Sequence, residues 1–137
     1  MPISVFLADD HAVVRDGLRL LLEDRPDITV VGDAADGREA VRQVKRLRPD
    51  VVVMDIAMPE LNGIEATQQI RESCPATQVV ILSMHGNREH IFRALQAGAK
   101  GFVMKESAGK EVVDAVFSVH SGRHYLSHQI SETMIDN

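Results

Sequence analysis

The sequence predicts an α/β fold, a doubly wound sheet of five parallel strands with helices on both faces. Three observations lead there. Five short apolar runs recur, and the third, Val51-Val52-Val53-Met54, is unbroken, as in a strand buried on both faces. Segments with apolar residues at helical spacing alternate with those runs. The links between them are short, so successive strands run parallel with right-handed crossovers. A chain of 137 residues, 45% of them hydrophobic, suffices for the core of one domain.

Taken in order, Ile3–Ala8 is a buried strand that ends abruptly in Asp9-Asp10. Val14, Leu18, Leu21 and Leu22 recur at helical spacing, and that helix stops before Pro26. Ile28–Ala34 is the second strand. Asp36, with Glu39 three residues on, caps a helix through Ala40, Val44 and Leu47 that Pro49 closes. The third strand ends on Asp55, followed by Met58-Pro59 and Asn62-Gly63. Asn62 and Glu65 cap a third helix through Ile64, Thr67 and Ile70 toward Pro75. Gln78–Ser83 is the fourth strand, and residues 87–98 form a weakly amphipathic helix. Gly101–Met104 is a short fifth strand ending at Lys105. Ser107 caps the last helix, through Val112, Val113, Val116 and Phe117 to about Gly122. Residues 1–122 thus form the domain. The polar stretch 123–137, with Tyr125, Leu126 and Ile130 as its apolar anchors, reads as a short helix or the start of a linker.

Composition excludes several classes. A formal net charge of −5 argues against direct nucleic-acid binding, which needs a basic patch. The single cysteine, Cys74, forms no intrachain disulfide and fits a reducing compartment. The first residues carry no basic segment followed by an apolar one, so no leader is expected, and every apolar run is too short to span a membrane. A cytoplasmic domain without membrane contact is the expectation.

The chemistry gathers at the strand ends. Asp9-Asp10 follow the first strand, Asp55 ends the third, Ser83 the fourth, and Lys105 follows the fifth. In the flavodoxin-like order 2-1-3-4-5, strands one and three are neighbours at the topological switch point, where open α/β sheets bind ligands. Three carboxylates in one crevice raise each other's pKa unless a cation intervenes. A hard ion taking oxygen ligands and water, with room for a phosphate, describes Mg²⁺. Lys105 offers a compact positive charge and Ser83 a hydroxyl, both suited to phosphoryl oxygens. Asp55 is then a candidate nucleophile forming an aspartyl phosphate. Taken singly, each residue has an ordinary role as a turn, cap or solvated side chain. Their joint placement carries the reading.

That constellation resembles the receiver domain of a two-component response regulator, the CheY-like fold, from about Ile3 to Gly122. Ser83-Met84-His85, the run from Ala94 through Gly98 to Phe102, and Tyr125-Leu126-Ser127 are similar to the NarL/FixJ group, which carries a LuxR-type helix-turn-helix output domain. The resemblance implies that Asp55 is the phosphoacceptor. It implies that Asp10 coordinates Mg²⁺ directly, Asp9 through metal-bound water, and Ala57 through its backbone carbonyl. Ser83 and Lys105 would contact the phosphoryl group, and Phe102 would turn inward as Ser83 moves. Ala57 and His85 occupy the two positions that tune dephosphorylation. The implied donor is a sensor histidine kinase or a small acyl phosphate. The implied output is a change in the face built from the fourth helix, fifth strand and last helix, and with it a homodimer and DNA binding through an output domain absent here. Beyond phosphorylating and dephosphorylating itself, the domain is expected to be no enzyme. One departure is Glu106 where many receivers have a proline in a cis peptide; a non-proline cis bond costs about 3–4 kcal/mol, which leaves trans, or cis held by packing.

Other classes fit less well. Haloacid-dehalogenase-like phosphatases place the nucleophile in an Asp-x-Asp motif on the first strand, whereas the candidate here is on the third. A flavin or nucleotide module needs a phosphate-cradling loop after the first strand, and Asp9-Asp10-His11 has the wrong charge for it. His11 reads as a rim residue of the crevice. His120, His124 and His128 share a face only on a continuous helix, which Gly122 opposes. Arg42, Lys45, Arg46 and Arg48 read as a solvated face, and Met54, Met58, Met84 and Met104 as core fillers.

Overall fold

The computed structural model describes residues 2–128. The expected strands form at Ile3–Ala8 (β1), Ile28–Ala34 (β2), Val51–Asp55 (β3), Gln78–Ser83 (β4) and Gly101–Met104 (β5). Helices lie between and after them: Ala12–Glu23 (α1), Gly37–Leu47 (α2), Gly63–Ser73 (α3), Arg88–Gln96 (α4) and Ala108–His120 (α5). All pairings are parallel, in the order β2-β1-β3-β4-β5 with a sixth strand, Tyr125–Leu126 (β6), outside β5. The sheet therefore has six strands, not five, and part of the polar tail is neither helix nor free linker. Tyr125 and Leu126 offer too little pattern to be read as a strand, and they form one because β5 presents an open edge. Ile130, the third expected anchor, lies outside the described residues.

Alternation along each strand divides the core in two. Phe6, Ala8, Val52, Met54, Val79, Ile81 and Phe102 face α2, α3 and α4. Val5, Leu7, Val51, Val53, Val80, Leu82 and Val103 face α1 and α5. Strands read as unbroken apolar runs because both faces are covered. In α1 the buried residues are Leu18 and Leu22, while Leu21 is 41% exposed and Val13 and Leu20 more so. The expected caps of α2 and α3 form, with Asp36 accepting from the Glu39 N–H and Asn62 from the Glu65 N–H. α4 starts one residue later than expected because Asn87 is its cap, accepting from the His90 N–H, and Gly98 leaves it at φ 107°. Ser107 stands at the N-cap position of α5, after a 3-10 turn over Lys105–Ser107. α5 ends at His120 and Gly122 turns at φ 89°, so His120, His124 and His128 do not share a helix face.

Register sets the functional end of the sheet. Ala8 pairs with Met54, so Asp9 and Asp55 leave adjacent strands at the same level. Ser83 pairs with Met104, which delivers Lys105 one step beyond.

Candidate functional site

Asp55 is 2% exposed because the loop after β3 folds back over it. The Gly63 N–H donates to the Ile56 carbonyl at 2.9 Å, bringing the start of α3 onto the strand end. A Cβ at Gly63 would lie 2.2 Å from the Asp55 carbonyl oxygen, and one at Gly37 1.8 Å from that of Leu61. Only glycine permits these approaches. The exposed Ala57 donates its N–H to Asp55 Oδ1 at 3.2 Å.

On the neighbouring strand, Asp9 is 1% exposed. Its Oδ1 accepts the His11 N–H at 2.8 Å, and its carbonyl oxygen accepts Arg15 Nη1 at 2.6 Å. Lys105 spans the gap, with Nζ 3.0 Å from Asp55 Oδ2 and 3.1 Å from Asp9 Oδ2. The first contact is a hydrogen bond, but the second lies outside hydrogen-bond geometry, which leaves Asp9 Oδ2 buried without a donor. Every described peptide bond is trans, including Lys105–Glu106, and Lys105 reaches both carboxylates from that geometry.

Electrostatics follow from this crowding. Burial pushes the Asp55 carboxyl above its ordinary value; the Lys105 hydrogen bond opposes the rise and the Asp9 charge adds to it. Burial acts to lower Lys105, but the hydrogen bond to Asp55 and the negative charges of Asp55 and Asp9 outweigh it, and its pKa ends above the ordinary value. A single ammonium thus serves two buried carboxylates.

Ligand atoms of Asp9, Asp10, His11 and Asp55 all lie within 4.8 Å of one another. Most of these donors are hard oxygens, and Asp9 Oδ2, ion-paired to Lys105 but accepting no hydrogen bond, keeps lone pairs for a further cation or donor. The residues fit Mg²⁺. Asp10 stands at the mouth, its side chain 35% exposed, and His11 Nδ1 is 3.2 Å from both its Oδ1 and Asp9 Oδ1. The same His11 nitrogen is 3.2 Å from Lys105 Nζ.

Ser83 is fully buried, and its hydroxyl is turned to the next loop, donating to the His85 carbonyl at 2.8 Å and accepting the His85 N–H at 3.0 Å. The His85 ring stacks on His90 with centroids 6.1 Å apart, and both line a cleft of about 500 Å³ with Ala57, Asn62 and Arg93. Phe102 is already fully buried against the α4 side of the core. The fold thus joins Asp9, Asp10, Asp55 and Lys105, sets Ala57 beside them, and leaves the Ser83 hydroxyl engaged elsewhere. Sequence reasoning placed His11 at the rim but not between the carboxylates and Lys105, and it missed Arg15 as the residue that ties the Asp9 backbone to α1. Spacing offered one signal for Arg15, a cation one helical turn beyond the acidic pair.

Residues 5–117 match the family described as the response regulator receiver domain. The response regulator UvrY of Escherichia coli K12 is 41% identical over 96% of this chain, which spans 61% of that protein's length. Among solved structures, a LuxR-family two-component response regulator from Aurantimonas sp. SI85-9A1 superposes with a TM-score of 0.94 at 39% identity, covering 99% of this chain and 97% of that one. The signal receiver domain of the putative response regulator NarL from Mycobacterium tuberculosis gives 0.85 at 34% identity, covering 89% and 98%. With its sheet order, its acidic crevice and these likenesses in agreement, the chain belongs to the response regulator receiver domain family, in its LuxR-type (NarL/FixJ) branch.

Proposed function

We propose that Asp55 accepts a phosphoryl group from a sensor histidine kinase or a small acyl phosphate, with Mg²⁺ held by Asp10, Asp55 and the Ala57 carbonyl and, through water, by Asp9. The observation that carries this reading is Lys105 Nζ lying between Asp55 Oδ2 and Asp9 Oδ2 at 3.0 and 3.1 Å, at the ends of two adjacent strands. An Asp55 carboxylate oxygen attacks the donor phosphorus as the bond from phosphorus to the donor's imidazole nitrogen or acyl oxygen breaks, and the electron pair leaves with the donor. Mg²⁺, when bound, lowers the repulsion between carboxylates and incoming phosphoryl oxygens. Lys105 exchanges Asp9 for a phosphoryl oxygen, and Ser83 exchanges the His85 backbone for another. Once Ser83 has moved, Phe102 repacks and the α4-β5-α5 face shifts between two packings. Ala57 leaves the acyl phosphate unshielded, while His85, at the edge of the cleft, orders or excludes water. Beyond taking its phosphoryl group from a donor and losing it again, the domain acts on no separate substrate.

The output reading concerns the longer protein. UvrY and similar relatives exceed this chain in length, and a LuxR-type helix-turn-helix domain would be the reader of the switch, with DNA contacted there. Self-association of the phosphorylated form through the α4-β5-α5 face is part of the same proposal. No described helix is long and apolar enough to cross a membrane; a cytoplasmic location is part of the same proposal.

Intact-mass spectrometry after incubation with acetyl phosphate tests the first step. A phosphoryl adduct that needs Mg²⁺ and vanishes in Asp55→Asn is the expected result. An adduct of equal yield in Asp55→Asn would overturn it.

A further inference from the structure

The segment Tyr125-Leu126-Ser127 is unused by the switch described above, yet it is fastened to the strand that carries Phe102 and leads into Lys105. The Tyr125 N–H donates to the Lys100 carbonyl at 2.9 Å and the Ser127 N–H to the Phe102 carbonyl at 3.0 Å. Strand groups two residues apart face the same neighbour, so the Met104 N–H points where β6 has already ended. There the side chain takes over from the backbone: Ser127 Oγ, on a fully buried residue, accepts the Met104 N–H at 2.9 Å. Leu126 packs on the core half that contains Phe102. The Tyr125 hydroxyl closes the segment by donating to Glu111 Oε1 of α5 at 2.7 Å. Met104 is bonded directly to Lys105, the only cation among the described residues that touches both buried carboxylates.

We propose that Ser127 is a positioning residue for Lys105, and that β6 couples the phosphorylation crevice to the chain that follows it. Ser127 acts through the Met104 peptide and touches no phosphoryl oxygen itself. When Lys105 leaves Asp9 for a phosphoryl oxygen, the Met104–Lys105 peptide shifts, and the hydrogen bonds of β6 tighten or release with it. Coupling of this kind is reciprocal: a crevice that moves β6 is a crevice that β6 can bias. The proposal rests on the phosphoacceptor reading of Asp55 and adds the route by which the event leaves the domain.

The test uses the whole chain in three forms, wild type, Ser127→Ala and Ser127→Thr. In Ser127→Ala the rate of phosphorylation by acetyl phosphate is expected to fall by about tenfold, since small displacements of a reacting group readily cost that much or more. Affinity for beryllofluoride, a stand-in for the phosphoryl group, falls in parallel, and the Met104 amide exchanges faster. Ser127→Thr keeps the acceptor oxygen and restores both, which a purely structural role for the site does not require. Should Ser127→Ala not fold, wild type alone decides: saturation with beryllofluoride and Mg²⁺ is expected to change exchange of the Tyr125 and Ser127 amides by about tenfold or more. Unchanged exchange there, or wild-type phosphorylation and Met104 exchange in Ser127→Ala, overturns the coupling. A wild type that takes neither phosphoryl group nor beryllofluoride overturns the phosphoacceptor reading itself, so the two failures are distinct.

Discussion

Replacing Lys105 by alanine strips the only described cation from two buried carboxylates, and its consequences can be worked through. Asp9 and Asp55 are 1% and 2% exposed, and the Lys105 ammonium sits 3.1 and 3.0 Å from them. Breaking a buried ion pair by removing one partner costs about 3–5 kcal/mol, and the water-accessible mouth of this crevice places the loss near 3 kcal/mol at neutral pH. The loss depends on pH. Asp55 holds its proton more tightly folded than unfolded, because burial disfavours its charge. Its contribution to stability is therefore full in acid, below the unfolded pKa, and is lost as pH rises through the folded value. Without Lys105 the hydrogen bond and charge that pull this pKa down are gone, so the window extends to higher pH. Urea denaturation of wild type and Lys105→Ala across pH 4–8, with and without Mg²⁺, is the assay. The stability gap is expected to narrow on acidification and on adding Mg²⁺, which supplies the missing positive charge. Equal stability at neutral pH, or a gap indifferent to both acid and Mg²⁺, would refute the electrostatic account of the crevice.

Two further substitutions probe how the site is held. Gly63→Ala drives a Cβ to within 2.2 Å of the Asp55 carbonyl oxygen, and denaturation should show a loss of about 3 kcal/mol as the β3–α3 loop is forced outward; a loss below 1 kcal/mol would mean the loop yields freely. Ser83→Ala frees the His85 N–H and carbonyl, at a cost of about 1 kcal/mol. The same variant should take up phosphate from acetyl phosphate more slowly than wild type, in a time course followed by intact mass, and an unchanged rate would remove Ser83 from the proposed phosphoryl contacts.

The parts of the fold that were legible in the sequence are those where one residue type has one physical outlet. Short unbroken apolar runs such as Val51–Met54, closely bounded by turn residues, read as strands covered on both faces, and Asp36 and Asn62 cap helices because their side chains reach an N–H three residues on. The crevice was legible because carboxylates and a lysine stood at strand ends, where topology alone brings them together. What escaped notice depends on contacts that sequence spacing does not encode. β6 is two residues long and exists only against the edge of β5. The role of Ser127 arises because a side chain replaces a missing backbone acceptor. His11 enters the site because α1 begins immediately after the acidic pair, so its ring folds back between Asp10 and Lys105. The orientation of the Ser83 hydroxyl toward His85 belongs to the β4–α4 turn and has no signature of its own.

In the proposed function one carboxylate, that of Asp55, carries the phosphoryl group, while Asp9 and Asp10 serve only to hold the metal. Reduction of the acetyl-phosphate-treated protein with borohydride converts an acyl phosphate to an alcohol and marks the residue permanently. Peptide mass mapping should then find homoserine at position 55 alone, and only when Mg²⁺ was present. Homoserine at position 9 or 10 instead, or a phosphoryl adduct that survives borohydride intact, would contradict the account.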